Sequence, residues 1–256
     1  MNIPFDDLLK QMQPITLDEM KSIRLMDRVD SKFVSSVDLL PVILEAMIPN
    51  FKIQTIDNKF VASYTTQYLD TPDLAFFRMH QNGRLNRQKI RIRSYIDSNL
   101  SFLEVKNKNN KGRTQKIRIP TIQSHIQDMD DLAEENAFLE EYSLCESHSL
   151  KPVLANMFNR MTLVNNAKTE RITIDWNLRF QNYQTGKESD CEHLMILELK
   201  QNGKTQSDFL EILNRLRIKQ GSFSKYCMGT ILTNDKIKHN RFKMKWALIN
   251  KIIQKS

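Results

Sequence analysis

The sequence predicts an α+β fold, an antiparallel β-barrel that forms a tunnel, with helices packed around it. Three observations predict it. At least five segments alternate charged and apolar residues with period two, giving strands with one charged and one apolar face. Within these strands Glu-x-Lys occurs twice, at Glu104/Lys106 and Glu198/Lys200, which reads as two half-sheets presenting the same pair to one space. The helical stretches carry their own start and stop residues and fall between the strands.

Taken in order, Thr16 followed by Glu19 is a capping-box pattern that opens a helix running to about Met26. Ser36, with Pro41 in the first turns, opens an apolar helix to about Ile48, and Asp73 to Gln81 forms a third, closed by Gly83. Lys89–Tyr95 then points Lys89, Arg91 and Arg93 one way and Ile90 and Ile92 the other. Ser101–Lys106 sets Glu104 and Lys106 opposite Leu103 and Val105, and Lys116–Ile119 sets Lys116 and Arg118 opposite Ile117 and Ile119. A helix is expected over about Asp128–Leu144. Strands Arg171–Trp176 and Met195–Lys200 follow, the first with Arg171, Thr173 and Asp175 on one face, the second with Glu198 and Lys200. Ser207–Lys219, stopped by Gly221, and a basic stretch from Asp235 to about Ile253 complete the helices.

The 256 residues fit one domain over 1–256, with 235–256 as a basic C-terminal helix. Hydrophobic residues at 40% and charged residues at 27% exclude a disordered chain, and low Gly and Pro exclude collagen-like or linker-rich organisation. Acids at Asp6 and Asp7 argue against a secretory signal, and the most apolar stretch, Leu39–Pro49, is too short and interrupted to span a membrane. Cys145, Cys191 and Cys227 are odd in number and far apart, so a reducing cytoplasmic setting is expected.

The net charge of +8 is unevenly placed. Residues 84–118 hold eleven bases against two acids, the C-terminal stretch is also basic, and the remainder is net acidic. Such concentration points to a polyanionic partner. Charge alone favours a sheet with one wet side, and on the residues alone Glu198 with Lys200 reads first as a cross-strand ion pair. Gly203-Lys-Thr205 ends like a phosphate loop, but its required first glycine would stand at Glu198, so it reads as a turn. The five histidines lack zinc spacing. Tyr95 and Phe102 are the only aromatics in 84–118, too few to stack a single-stranded nucleic acid, so no nucleic acid is expected. The terminal helix carries Phe242, Trp246 and Ile249 among its bases; packing on the barrel is the first expectation, and lying on an anionic membrane or docking a partner such as a membrane protein is the alternative.

Eight blocks in order resemble the VTC domain of polyphosphate polymerases, within the triphosphate tunnel metalloenzyme (CYTH-like) superfamily. They are Arg28-x-Asp30-x-Lys32-Phe33, Tyr68-Leu-Asp-Thr71, Arg91-x-Arg93-x-Tyr95, Phe102-x-Glu104-x-Lys106, Asn159-Arg160, Arg171-Ile-Thr-Ile-Asp175, Leu197-Glu-Leu-Lys200 and Ser224-Lys-Tyr226. The superfamily commonly opens with Glu-x-Glu-x-Lys, so Arg28-x-Asp30-x-Lys32 favours the VTC branch. Phe33 stands where that branch often has Tyr, and neither inositol-phosphate sensing by an SPX domain nor membrane translocation is expected from these residues.

The resemblance implies transfer of the γ-phosphoryl of ATP to a growing inorganic polyphosphate inside a cationic tunnel. Lys32, Arg91, Arg93, Lys106 and Lys225 would be catalytic, and Arg28, Arg118, Arg160, Arg171, Lys200 and Ser224 would bind phosphate. Glu198 would hold Mn²⁺ or Mg²⁺, and Glu104 is a second metal candidate that could instead neutralise nearby bases. Positioned cations suit this chemistry, which needs little covalent help from protein. The alternatives are a metal-dependent inorganic or nucleoside triphosphatase, and a non-catalytic polyphosphate-binding module.

Overall fold

Backbone pairing follows the predicted periodicity. The structure, a computed structural model, describes residues 5–23, 28–111, 113–122, 132–203 and 206–253. Its strands are β1 Gln13–Thr16, β2 Arg28–Ser36, β3 Phe51–Thr55, β4 Ala62–Asp70, β5 Arg87–Tyr95, β6 Leu100–Lys108, β7 Thr114–Thr121, β8 Lys151–Asn165, β9 Glu170–Asn182, β10 Glu188–Cys191, β11 Leu194–Asn202 and β12 Gln220–Gly221. The helices are α1 Asp6–Gln11, α2 Leu17–Ser22, α3 Leu40–Met47, α4 Ala75–Gln81, α5 Ala133–Tyr142, α6 Asp208–Arg215, α7 Lys225–Thr233 and α8 Lys243–Ile253.

All the strands belong to one sheet, ordered β12-β2-β11-β9-β8-β4-β5-β6-β7, with β10 beside β9 and β3 beside β8. Pairing is antiparallel except between β1 and β3. The α+β class and the antiparallel sheet therefore stand. Among the described residues no backbone pairing joins β7 to β12 or β2, so the pairing described there does not by itself close the sheet.

Alternation decides which face is which. Along β5 every second residue is buried and its neighbours are half-buried, so Ile90 and Ile92 face inward to a core while Lys89, Arg91 and Arg93 face away. Ile90, Ile92, Leu103 and Val105 pack against Phe76 of α4 and Phe138 and Leu139 of α5. On the other half of the sheet, Phe33, Ile172, Ile174, Leu197 and Leu199 pack against α3 and α6. Each fully buried side chain of this size contributes about 1.5–3 kcal/mol. A one-residue slip would exchange apolar for charged faces, so burial holds the register.

The predicted helices hold, with shifted bounds. Thr16 and Glu19 form the expected capping box: the Glu19 carboxylate accepts from Thr16 N at 2.9 Å, and the Thr16 hydroxyl accepts from Glu19 N at 3.3 Å. The expected run to Met26 and the expected start at Asp128 lie outside the described residues. Ser36 caps a short 3₁₀ turn before α3, and Ser207 caps α6, accepting from Leu210 N at 3.1 Å. The C-terminal stretch differs more. It is not helical from Asp235: an Asn234 side chain accepting from Lys236 N turns the chain, a 3₁₀ turn covers Asn240–Phe242, and α8 begins only at Lys243. Buried Phe242 and Ile249 seat this end on the molecule, while Met244 and Leu248 remain exposed. No helix among the described residues is long and apolar enough to cross a membrane.

Two helices were missed at the sequence level, the short α1 and α7. Residues Lys225–Thr233 form α7, capped by Ser224, whose hydroxyl accepts from Cys227 N at 3.2 Å. It sits tight on the sheet because residue 229 is Gly: a Cβ there would lie 2.4 Å from Phe180 Cδ1 and 2.8 Å from Leu154 Cδ2. Asp70 ties the helix in from the other side. This buried carboxylate accepts from Thr71, Phe76 and Phe77 N–H groups at 2.8–2.9 Å and from the Tyr226 hydroxyl, joining the start of α4 to α7.

Candidate functional site

The charged strand faces surround one cavity of about 340 Å³. Nine bases and three acids line it, drawn from β2, β11, β9, β8, β5, β6, β7 and the first residue of α7. Register explains how distant residues meet. Lys32 stands opposite Glu198, Lys200 opposite Asp30, Lys89 opposite Lys106, and Lys106 opposite Lys116. Because the residues alternate, each strand contributes every second side chain to the same space.

Three acids in or behind the wall, Glu198, Glu104 and Asp175, are held by cations. Glu198 lies 3.0 Å from Lys32 Nζ and 3.7 Å from Lys200 Nζ. Glu104, 1% exposed, accepts from Arg91 Nε and Nη2 at 2.8 and 2.6 Å and from Lys116 Nζ at 2.8 Å. Asp175 accepts from Arg160 at 2.5 and 2.7 Å and from Lys225. Burial alone would raise all three carboxyls. The neighbouring cations prevail, holding Glu104 and Glu198 near 2 and Asp175 well below the carboxylate range.

The bases are under the opposite pressure. Burial, with positive neighbours, pulls Lys89 and Lys106 down to about 8, and burial pulls Lys225 to about 8 despite the Asp175 carboxylate. Arg93 falls to about 10 through burial and the Arg91 and Arg160 charges, while Arg91 is raised by Glu104 against the same burial. Arg93 Nε is buried without a hydrogen-bond partner among the described residues, and its guanidinium lies 5.7 Å from the Tyr64 ring centroid. Lys89 Nζ donates to Ser224 Oγ at 2.9 Å. Cation excess in a partly desolvated space is a device for binding multivalent anions, whose arrival supplies the missing countercharge.

Of the residues singled out in the sequence, the structure brings Lys32, Arg91, Arg93, Lys106, Arg160, Lys200, Glu198, Ser224 and Lys225 to this cavity. Three others stand apart from it. Arg118 is exposed with its guanidinium 4.2 Å from the Phe102 ring centroid. Arg171 donates to the carbonyls of Met20 and Ile23, tying α2 to β9. Glu104 lies behind the lining, committed to Arg91 and Lys116. The Arg28 side chain is outside what is described. Sequence reasoning had not proposed Lys89, Lys116, Asp30, Asp175 or Tyr68 as site residues, yet all line the cavity. Strand parity was a sufficient signal for Lys89 and Lys116, which alternate with Ile90 and Ile117.

A protein-built metal cage is not present: among the described residues no three His, Cys, Asp or Glu side chains gather to hold an ion. The donor set instead suits Mg²⁺ or Mn²⁺ carried on phosphate oxygens, which ordinarily needs only one or two carboxylates. Glu198, 16% exposed, is a carboxylate that faces the cavity, with Lys32 and Lys200 beside it.

The family model for the VTC domain matches residues 27–234. No curated protein is significantly similar in sequence. Among solved structures, a Hippeastrum protein described as a candidate adenylyl cyclase with dominant triphosphatase activity shares 11% identity at a TM-score of 0.47, covering 83% of this chain and 99% of its own. A candidate adenylate cyclase from Vibrio parahaemolyticus shares 11% at 0.46, covering 80% and 99%. A Pyrococcus horikoshii protein shares 16% at 0.38, covering 74% and 86%. These likenesses are distant.

Proposed function

The chain belongs to the VTC domain family, and from that premise we propose that it is a metal-dependent polyphosphate polymerase, moving the γ-phosphoryl of ATP onto an inorganic polyphosphate. The observation that carries this reading is the single cavity in which nine bases face three acids. In the step proposed, a terminal phosphate oxygen of the chain forms a bond to Pγ, the bond from Pγ to the β–γ bridging oxygen breaks, and ADP leaves with that oxygen. Arg91, Arg93 and Arg160 would take phosphate oxygens through planar two-pronged contacts, with Lys32, Lys106, Lys200 and Lys225 supplying point charge. Lys89 and Ser224 would orient one phosphate at the start of α7. Glu198 would hold Mn²⁺ or Mg²⁺, which supplies neutralisation of the β- and γ-phosphate oxygens.

Product identity separates this reading from a triphosphatase, since the same cationic cavity could hold either reaction. The test is incubation with γ-labelled ATP and Mn²⁺, with products resolved by length. A ladder of phosphate chains with matching ADP is the expected result. Orthophosphate alone would overturn the reading in favour of a triphosphatase, and tight polyphosphate binding without turnover would leave a binding module.

A further inference from the structure

The cation rows do not end at the cavity. On β5, β6 and β7 they form successive rungs, set two residues apart and so about 7 Å from one another. Lys89, Lys106 and Lys116 make one rung inside the cavity, and Arg87, Lys108 and Thr114 make the next, in register. Beyond the second rung lies a groove of about 550 Å³ that shares Thr114 with the cavity and is lined by Arg87, Lys108 and Arg113 but, among the described residues, by no acid. A third hollow meets it at Asn86 and adds Arg84. Arg87 Nε is buried without a hydrogen-bond partner among the described residues. The same charge excess acts on His80: burial, then Lys89, Arg87 and Lys108, lower its pKa to about 2.

We propose that this groove is a second phosphate subsite, taking the part of a linear polyphosphate that extends past Thr114 out of the cavity. The inference rests on the polyphosphate reading of the cavity and adds to it where the chain goes. A groove with three bases and, among the described residues, no acid, continuous with a cationic cavity, matches a ligand whose charge repeats along its length. Among the described residues it offers no aromatic side chain on which a base could stack, which sets it apart from a single-stranded nucleic acid site.

The experiment compares binding of tripolyphosphate with binding of a polyphosphate of about a hundred residues, by calorimetry at several salt concentrations. The proteins are wild type, Lys108→Gln/Arg113→Gln, and the triple variant that adds Arg87→Gln. Lys108 and Arg113 are exposed, so the double variant removes charge without disturbing the core. The expected result is long-chain affinity weakened about tenfold in the triple variant with a shallower salt dependence, tripolyphosphate affinity being unchanged. Long-chain binding that survives both variants, or equal losses for both ligands, would overturn the proposal, as would an RNA of equal charge binding the groove as tightly. Because the readout is binding, failure of the polymerase reading appears separately, as absence of a product ladder with length-dependent binding intact.

Discussion

Arg160 and Asp175 face each other across β8 and β9 and are joined by two parallel bonds, Nε to Oδ1 at 2.5 Å and Nη2 to Oδ2 at 2.7 Å. Lys225 takes the same carboxylate from the first turn of α7. One buried acid therefore positions two cavity cations and attaches the helix that carries one of them to the sheet.

Asp175→Asn keeps the shape and removes the countercharge, leaving two buried cations without their anion. Expected loss of stability is about 3 kcal/mol, the scale for breaking a buried ion pair from one side. Denaturant unfolding with and without tripolyphosphate checks it, because the added anion should recover part of the loss. Equal loss under both conditions would remove the electrostatic explanation.

Arg93→Ala separates function from stability. Arg93 is desolvated and crowded by Arg91 and Arg160, so its charge opposes folding in the empty cavity. The variant is expected to melt no lower than wild type while losing turnover by about a hundredfold or more, the scale expected when a positioned cation is removed from a charge-stabilised transition state. A lowered melting temperature with turnover intact would place Arg93 outside the phosphate-binding set.

Glu198→Gln tests the metal role directly. The change frees Lys32 and Lys200 from their carboxylate. Metal-free affinity for tripolyphosphate should therefore hold or rise, while Mn²⁺-dependent turnover is lost. Full Mn²⁺-dependent turnover in the variant would rule Glu198 out as the ligand.

Stability and binding are expected to depend on pH in opposite ways. Glu104 and Glu198 are held near 2 against an ordinary value near 4.5, so the stability they contribute is present above about pH 4.5 and lost as pH falls toward 2. Lys89, Lys106 and Lys225 lie near 8 against an ordinary 10.5. The unfolded chain binds more protons between those values, so these lysines make stability rise as pH climbs from 8 to 10.5. Anion affinity falls over the same climb as their charges are lost. Melting curves and tripolyphosphate calorimetry from pH 3 to 10 would check both limbs, and a flat affinity above pH 8 would exclude the lysines as phosphate ligands.

Much of the cavity was legible because strand parity is a strong constraint. Lys89, Arg91 and Arg93 alternate with two isoleucines that must be buried, so their shared face follows from the residues alone. Parity gives the face and not the partner across the sheet. Glu104 was open to metal or neutralising roles until the register set it opposite both Arg91 and Arg118, and the side chains showed it held by Arg91 and Lys116. Arg171 alternates as a cavity residue would, yet it lies far enough along β9 to meet the carbonyl end of α2 instead. Helix α7 escaped notice because Lys225–Thr233 is apolar nearly all round, without the stripe that marks a surface helix. The late start of α8 depended on a side-chain turn at Asn234 that no periodicity reports.

The Lys89 ammonium reaches from β5 to Ser224, the residue that caps α7. Ser224 Oγ thus serves two partners, accepting from Lys89 and from the Cys227 N–H at the helix start. On the phosphate reading, an anion that takes Lys89 would leave this hydroxyl with the helix alone, so filling the cavity and tethering α7 to β5 would draw on the same ammonium group.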